Sequence, residues 1–283
     1  MQLVLVVGAS GNLGGKIVRE LRARGAAVRA TFHKRPPPDG VEAVQADLAD
    51  PVALTNACAG VHTVISAVQG LADTILDGQT NLLHAAEAAG VARMIPSDYS
   101  VDFFKTQDGG NRNLDLRRAF NQRLDASKVR GTSVLNGAFM DLVEHKRIGP
   151  DGSGVMRVYG DPDQPYDFTH TDDVAKYIAA VALDDTAGRV VRVVGDRASP
   201  NQLAALRGGR VERVGDLDAL TRMIAHMQAA DPAPHNPFPV WQQLQYVRDM
   251  ASGKARLSPV DNGRYPDIHP ITVRGLLLGK IAA

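Results

Sequence analysis

A glycine-rich turn between a buried strand and an amphipathic helix is the feature that most constrains the fold. Leu3–Val7 form an unbroken aliphatic run, which predicts a strand buried on both faces of a parallel sheet. The turn Gly8–Gly14 follows directly and reads Gly-Ala-Ser-Gly-Asn-Leu-Gly. Apolar side chains then recur at helical spacing from Leu13 to Leu21, and Val28–Phe32 predict a second strand. A strand, turn, helix and strand within about thirty residues predict a dinucleotide-binding βαβ unit.

Each glycine of the turn fits one requirement of such a site. Gly8 allows the tight turn, Gly11 lets the backbone approach a pyrophosphate, and Gly14 lets the helix pack close to the strand. The amino terminus of the helix offers free N–H groups to the anion. The sequence therefore predicts that the turn binds the pyrophosphate, with candidate residues Gly8, Ser10, Gly11, Asn12, Leu13 and Gly14.

The end of the second predicted strand carries cations instead of an acid. A site for NAD usually places an acidic residue about twenty positions after the glycines, where it binds the ribose 2′-hydroxyl. Here that stretch is His33, Lys34 and Arg35. Cations suit a 2′-phosphate, so the sequence favours NADP(H), while a solvated basic turn is the alternative.

The alternation of strands and helices continues along the chain. The patterns predict strands over Val41–Ala46, Val61–Ser66 and Val91–Ile95, and helices over Pro51–Cys58 and Ala72–Ala89. This order is typical of an α/β protein with a doubly wound parallel sheet, a Rossmann fold, which binds ligands at the carboxyl ends of its strands. Those ends add further candidate cofactor-binding residues: Asp47, Leu48, Ser66, Ala67, Val68, Pro96 and Ser97.

Five motifs together resemble one branch of a known superfamily. They are Gly8–Gly14, Ile65–Val68, Arg93–Tyr99, Gly131–Phe139 and Thr169–Ala175. The chain is similar, over residues 1 to about 200, to the NmrA-like and isoflavone-reductase-like atypical short-chain dehydrogenases. The resemblance implies an NADP-binding Rossmann domain and a smaller carboxyl-terminal lobe on the substrate side. Asn136 and Phe139, within the fourth motif, join the candidate cofactor-binding residues.

The expected domains are discontinuous in sequence. We predict an NADP-binding domain over residues 1–149 and 166–196, and a smaller substrate-side lobe over residues 150–165 and 197–283. Arg189–Val194 is expected to be the last strand of the chain. The resemblance implies either reduction of small aromatic or quinone-like compounds or cofactor sensing without turnover.

The proton donor of the resembled enzymes has no obvious counterpart. Short-chain dehydrogenases usually have a tyrosine followed four residues later by lysine, and none of the six tyrosines here has that partner. Isoflavone-reductase-like enzymes have a lysine in the helix before the sixth strand, where this chain has Ala119. The remaining catalytic candidates are Tyr99 and Lys105 as proton donors and Arg118, with Arg117 as the alternative, as an oxyanion or carboxylate ligand. The alternatives are an aromatic wall for Tyr99 and a solvated side chain for Lys105.

Composition excludes several other classes of function. The 32 basic and 31 acidic residues leave a formal net charge of +1, which gives no field to attract nucleic acid or an anionic membrane. The scattered histidines and the single cysteine predict neither a metal site nor a disulfide. We expect a cytoplasmic monomer or homodimer that acts as an NADPH-dependent reductase of a small aromatic, quinone or carbonyl compound. A non-catalytic NADP(H)-sensing regulatory protein is the alternative.

Overall fold

The computed structural model describes residues 2–32, 40–233 and 235–279. Its strands are, in chain order, Leu3–Val7 (β1), Ala27–Phe32 (β2), Glu42–Gln45 (β3), Thr63–Ser66 (β4), Arg93–Ile95 (β5), Arg130–Gly131 (β6), Ser133–Leu135 (β7), Ala138–Phe139 (β8), Val155–Tyr159 (β9), Tyr166–Thr169 (β10), Val190–Arg192 (β11), Asp196–Ala198 (β12) and Arg210–Gly215 (β13). Its α-helices are Asn12–Ala23 (α1), Pro51–Cys58 (α2), Gln79–Ala88 (α3), Arg112–Asp125 (α4), Asp141–Glu144 (α5), Thr171–Leu183 (α6), Pro200–Leu206 (α7), Leu217–Ala230 (α8), Val240–Ala251 (α9) and Val273–Leu277 (α10).

The chain forms two compact units, each assembled from separate segments. The first comprises Met1–Tyr99, Leu116–Val134 and Val174–Val191, and the second comprises Ser100–Asp115, Leu135–Asp173 and Arg192–Ala283. The sequence-based division put 100–115 and most of 135–173 in the nucleotide-binding domain instead. Side-chain hydrogen bonds join 100–115 to the carboxyl-terminal part, as from Asn111 Nδ2 to Asp249 Oδ2 at 2.8 Å. The predicted division stays a prediction about which segments fold together as independent domains.

A six-stranded parallel sheet forms the centre of the first unit. Its strand order is β3-β2-β1-β4-β5-β6, and every neighbouring pair is parallel. The order reverses direction between β1 and β4, as in doubly wound nucleotide-binding sheets. This topology confirms the predicted α/β Rossmann fold.

The sheet packs against the helices α2 and α3 through apolar side chains. Leu5 and Val64 on neighbouring strands are fully buried, and α2 and α3 contribute Leu54 and Leu82 to the same core.

Arg93 is also fully buried, although it is charged. Its guanidinium donates to the carbonyl oxygens of Val181 and Asp184 (2.8 Å for the latter) at the carboxyl end of α6. A helix carboxyl terminus is a favourable place for a cation because its last carbonyls lack partners in the helix.

The helix predicted over Ala72–Ala89 has two parts. Ala72–Gly78 forms a π-helical segment, and α3 follows it directly. Gly78 lies against Leu48, since a Cβ on Gly78 would be 3.0 Å from Leu48 Cδ1. The apolar spacing of so short a segment in the sequence carries no signal that distinguishes this widened turn from an α-helix.

The second unit contains a small sheet and a separate two-stranded ladder. The sheet has the order β12-β10-β8, and β13 pairs with β9 in parallel. The expectation that Arg189–Val194 is the last strand was wrong, since β12 and β13 follow it. β12 has three residues and β13 is mostly exposed, so neither shows the long apolar run that was used to find strands. Within the described ranges no helix is both long and apolar enough to cross a membrane.

The turn after β1 shows why two of its glycines are required. Gly8 has a φ of +84°, a conformation that L side chains rarely adopt. A Cβ on Gly14 would lie 2.2 Å from the carbonyl oxygen of Gly8 and 2.8 Å from its carbonyl carbon. The predicted roles of Gly8 in the tight turn and of Gly14 in close helix-to-strand packing are therefore confirmed.

We expect Gly14→Val to lower the free energy of unfolding by about 3 kcal/mol or more, because the obstructing atoms belong to the backbone and cannot rotate away. Urea denaturation followed by circular dichroism measures this change. Gly152→Val is the matched control, since a Cβ there meets no atom within 4 Å. Equal loss of stability in both variants would contradict the packing role of Gly14.

Candidate functional site

The start of α1 forms a cradle of small residues and backbone N–H groups. Gly11 is the N-cap of α1, has an extended backbone with φ −78° and ψ 167°, and is exposed. Its N–H donates to the carbonyl oxygen of Gly8 at 3.0 Å. A Cβ on Gly11 would meet that same oxygen at 3.2 Å and no other atom within 4 Å outside its immediate chain neighbours. The first turn of α1 carries no acidic side chain. These features fit a phosphate group, which the helix terminus attracts through its unpaired N–H groups.

The residues that directly follow the carboxyl end of a strand are called its exit here. The exits of β1 and β4 lie side by side next to this cradle. The Ala67 N–H donates to the carbonyl oxygen of Val7 at 2.8 Å. A Cβ on Gly8 would lie 2.6 Å from the carbonyl oxygen of Ala67 and 3.4 Å from Val68 Cγ1. The structure therefore brings the predicted segments Gly8–Gly14 and Ser66–Val68 together at one edge of the sheet.

Ser97, at the exit of β5, uses all three of its polar groups within the first unit. Its N–H donates to Gln79 Oε1 at 2.9 Å, and its hydroxyl donates to the carbonyl oxygen of Val68 at 2.5 Å. Its own carbonyl oxygen accepts a hydrogen bond from Arg117 Nε at 3.1 Å. Only 4% of Ser97 is exposed, so these bonds fix the β5 exit against the β4 exit. Pro96, the residue before it, is also buried.

Tyr99 lies in the same segment, and its hydroxyl is already engaged. The hydroxyl donates to the carbonyl oxygen of Ser66 at 3.0 Å, and the residue is 8% exposed. Burial raises the pKa of the Tyr99 phenol well above its ordinary value, and the nearby Asp98 carboxylate raises it further. As the structure stands, Tyr99 joins the exits of β4 and β5 through its ring and its hydroxyl.

Asp98 is a buried carboxyl within a chain of hydrogen bonds. Its Oδ2 accepts from Asn121 Nδ2 at 2.8 Å and from the Ser133 hydroxyl at 2.7 Å. Arg189 donates to the Ser133 hydroxyl oxygen at 2.9 Å and to Asn121 Oδ1 at 2.5 Å. Since a serine hydroxyl has one proton, and Arg189 supplies Asn121 Oδ1, the Ser133 proton goes to Asp98. Arg189 is thus linked to Asp98 by hydrogen bonds through two neutral side chains, Ser133 and Asn121.

Burial nevertheless dominates the titration of Asp98. Desolvation raises its pKa above the ordinary value of 3.8, although the hydrogen bonds from Asn121 and Ser133 and the charges of Arg117 and Arg189 act in the opposite direction. Asp98 Oδ1 has no hydrogen-bond partner among the described residues. A carboxyl in these surroundings favours the protonated form more than it would in water.

Two further candidates of the first unit, Asp47 and Leu48, take part in hydrogen bonds. Asp47 Oδ1 accepts from the Ala49 N–H at 2.8 Å, and the carbonyl oxygen of Leu48 accepts from Asn81 Nδ2 at 2.9 Å. Ser10 is half-buried in the cradle, and Arg118 is half-buried on α4. The predicted 2′-phosphate ligands His33, Lys34 and Arg35 lie outside the described residues.

Three candidates belong to the second unit. Lys105 Nζ donates to the carbonyl oxygens of Ser258 at 2.7 Å and Arg256 at 3.0 Å, and it lies 3.3 Å from Asp102 Oδ2. Asn136 is buried, and its Nδ2 donates to the carbonyl oxygen of Gly137 at 3.2 Å. Phe139 is half-buried in β8. Lys105 thus stabilises the segment 256–258, because its ammonium group donates hydrogen bonds to two carbonyl groups there.

Sequence reasoning missed the side chains that fix the β5 exit: Gln79, Arg117, Asn121, Ser133 and Arg189. One of them left a signal in the sequence. Gln79 follows Ile75 by four residues and precedes Leu82 by three, which places a polar side chain on the buried face of a helix. Such a residue needs buried partners for both ends of its amide. Across the described ranges no cluster of side chains has the composition of a metal site.

We expect the stability of the Asp98→Asn variant, relative to the parent, to improve as the pH rises. A raised folded-state pKa contributes stability that is present below the unfolded value and is lost as the pH rises through the folded value. The amide introduced by the substitution does not titrate, so the variant escapes that loss. Urea denaturation of both proteins from about pH 3.5, below the ordinary carboxyl value, up to about pH 8 measures the difference. Asp218→Asn, at an exposed position, is the control, and a difference independent of pH would contradict the buried titration.

Comparison with known proteins agrees with this architecture. The sequence profile of the NmrA-like family matches residues 1–216. Asnovolin J 5′,6′-dehydrogenase of Aspergillus novofumigatus is 30% identical over 226 residues, which are 72% of this chain and 67% of that protein. Pinoresinol reductase 1 of Arabidopsis thaliana is 28% identical over 209 residues, and the match spans 64% of each protein, just under two thirds.

A solved structure shows the same fold over almost the whole chain. The NADPH-dependent quinone oxidoreductase of Escherichia coli, complexed with NADPH, matches with a TM-score of 0.76 at 18% identity, covering 98% of this chain and 99% of that one. The family profile covers well over half of the sequence, including the glycine cradle and the exits of β4 and β5. The chain belongs to the NmrA-like family.

Proposed function

We propose that this protein is an NADPH-dependent reductase of a small aromatic, quinone or carbonyl compound. The observation that carries the proposal is the cradle at the start of α1, where Gly11 leaves room for a phosphate at the helix amino terminus and Gly8 and Gly14 allow the tight turn and close packing that form the cradle. Relatives named as a dehydrogenase and a pinoresinol reductase, and a solved relative that holds NADPH, support the same conclusion.

The chain's own residues suggest how such a cofactor is held. The backbone of Gly8–Gly14 would bind the pyrophosphate, and Lys34 with Arg35 would bind the 2′-phosphate. The segments Ser66–Val68 and Pro96–Tyr99 would flank the nicotinamide half. NADPH, when bound, supplies a hydride to an electron-poor carbon of the substrate. We propose a small-molecule substrate, no nucleic-acid partner and a cytoplasmic monomer or homodimer.

The source of the proton decides which substrates are reduced efficiently. Hydride addition to a carbonyl leaves an alkoxide, which is a stronger base than a phenolate and can take a proton from a phenol whose pKa is raised. Hydride addition to a quinone leaves a hydroquinone anion, which is stable in water without that proton. We propose that Tyr99 donates to alkoxides, that Arg118 assists an oxyanion, and that quinone reduction needs neither residue.

Three observations favour the second candidate function, an NADP(H) sensor without turnover. Ala119 replaces the lysine of the isoflavone-reductase-like enzymes. The Tyr99 hydroxyl is bonded to Ser66, and the Lys105 ammonium is bonded to Arg256 and Ser258. A protein whose two candidate proton donors, Tyr99 and Lys105, both make structural bonds can bind the cofactor and report its redox state without reducing a substrate.

We expect the parent to bind NADPH at least about tenfold more tightly than NADH, since each charge-assisted bond to the 2′-phosphate contributes about 1.5–3 kcal/mol. The double variant Lys34→Ala/Arg35→Ala should lose most of this preference while it still binds NADH. Gly11→Val should bind neither cofactor, because its side chain would occupy the phosphate position. Isothermal titration calorimetry measures all the affinities.

Circular dichroism of Gly11→Val is the control for folding, since the backbone angles of Gly11 are allowed for any residue but its Cβ would lie 3.2 Å from the Gly8 carbonyl oxygen. Equal affinities of the parent for the two cofactors would rule out the 2′-phosphate site. Tight binding of NADPH by Gly11→Val would rule out the pyrophosphate site.

We expect Tyr99→Phe to retain NADPH binding and to lower the reduction of aromatic aldehydes by about 10²-fold or more, the usual effect of removing a general acid. Its rate with quinones should stay within a few-fold of the parent rate. Absorbance of NADPH follows both reactions. Lys105→Met tests the other candidate donor in the same assays, and we expect a smaller effect because its ammonium group is bonded to two carbonyls.

Aldehyde reduction that survives both substitutions would exclude both residues as proton donors. Tight NADPH binding with no oxidation by quinones, aldehydes or enones would favour the sensor over the reductase.

A further inference from the structure

Gln79 is a buried side chain whose amide connects two separate backbone segments. It is the first residue of α3 and is 0% exposed. Its Nε2 donates to the carbonyl oxygen of Ile75 at 2.9 Å, in the π-helical segment. Its Oε1 accepts from the Ser97 N–H at 2.9 Å, at the exit of β5. One amide group therefore fixes the distance between the start of α3 and the β5 exit.

No other neutral side chain of this length can make both bonds. The Ile75 carbonyl requires a donor, and the Ser97 N–H requires an acceptor. A glutamine amide offers both without charge, whereas glutamate offers both only when it is protonated. Methionine has nearly the same shape and offers no N–H or carbonyl. Without the Gln79 amide, the buried Ser97 N–H must find another partner or the β5 exit must shift.

The β5 exit is held at other points, so a shift would be transmitted to its neighbours. The Ser97 hydroxyl is bonded to Val68, and the Tyr99 hydroxyl is bonded to Ser66. The exits of β4 and β5 therefore move as a unit when the Ser97 backbone moves. The cradle at Gly11 has its own support in the packing of Gly14 against Gly8, although Gly8 also lies next to Ala67 at the β4 exit.

The strand order assigns these two exits to one half of the cofactor. In doubly wound sheets each half of a dinucleotide lies on one side of the reversal in strand order, and the adenosine ribose lies at the end of β2. The exits of β4 and β5 are on the other side of that reversal. They belong to the nicotinamide half.

We propose that Gln79 is a positioning residue for the nicotinamide half of the cofactor. It acts through the Ser97 backbone and touches neither cofactor nor substrate itself. The proposal rests on the proposed NADPH-dependent function. It predicts that loss of the Gln79 amide disturbs the nicotinamide half and leaves the adenine half unaffected.

The test compares two ligands that differ only in the nicotinamide ring. The ligands are NADPH and 2′-phospho-ADP-ribose, and their dissociation constants are measured by calorimetry. For Gln79→Met we expect the dissociation constant of NADPH to rise about tenfold and that of 2′-phospho-ADP-ribose to change less than about twofold. Thr80→Val is the matched control, because the Thr80 hydroxyl also bonds to a carbonyl of the π-helical segment, Leu76, at 2.5 Å. It should change neither dissociation constant.

Gln79→Glu provides a second test that does not depend on how well the methionine variant folds. The ratio of the two affinities should return toward the parent ratio as the pH falls and the glutamate gains the proton it needs to donate to Ile75. The 2′-phosphate is common to both ligands, so its own titration cancels in the ratio.

Equal weakening of both ligands in Gln79→Met, or a ratio in Gln79→Glu that does not depend on pH, would overturn the positioning role and leave a role in stability. These outcomes leave the proposed cofactor site intact. If the parent binds neither ligand, the proposed function itself is overturned, and the inference with it.

Discussion

The contact between Gly14 and the carbonyl group of Gly8 is the constraint on which the first unit depends. A side chain at Gly14 would overlap the Gly8 carbonyl, so α1 can approach β1 this closely only because residue 14 is glycine. The same approach places the amino terminus of α1 directly after the central strand of the sheet. Unpaired N–H groups are thereby concentrated at the edge where parallel strands end. The cradle for an anion is thus a consequence of how tightly the first helix packs.

A second set of constraints acts on the exits of β4 and β5, and it consists of polar side chains instead of glycines. Gln79, Arg117 and the hydroxyl groups of Ser97 and Tyr99 together satisfy the backbone of these short segments. Asp98 adds a buried carboxyl held by α4 and β7. Burial of the backbone groups of Ser66, Val68 and Ser97 is favourable because the bonds above give them partners, so the arrangement admits few alternatives. Rigidity at these exits follows from that requirement.

The sequence predicted the features that depend on local pattern and missed those that depend on distant pairing. β1 and α2 were predicted with the bounds that the structure has, because an aliphatic run and an Asp-Pro helix start are local signals. β12 has no such run, and the short segment before α3 carries no local signal that distinguishes a π-helix from an α-helix. The bond between Gln79 and Ser97 joins residues 18 positions apart, and that between Ser133 and Asp98 joins residues 35 apart. Only the folded sheet brings those pairs together.

The bonds of Tyr99 and Lys105 bear on how a reductase of this kind gains its rate. An acid that must break a structural bond before it donates a proton contributes less than one held ready. Positioning does not carry that cost, because a cofactor bound against a rigid surface loses its freedom before the reaction begins. Hydrogen bonds restrain the described residues around the β4 and β5 exits. The backbone N–H and carbonyl of Ser97, the hydroxyl of Tyr99 and the carboxyl of Asp98 each have a partner. Substrates whose reduced anions are stable without immediate protonation make the least demand on an acid. Quinones are such substrates, so we expect the proposed reductase to reduce them faster than simple ketones.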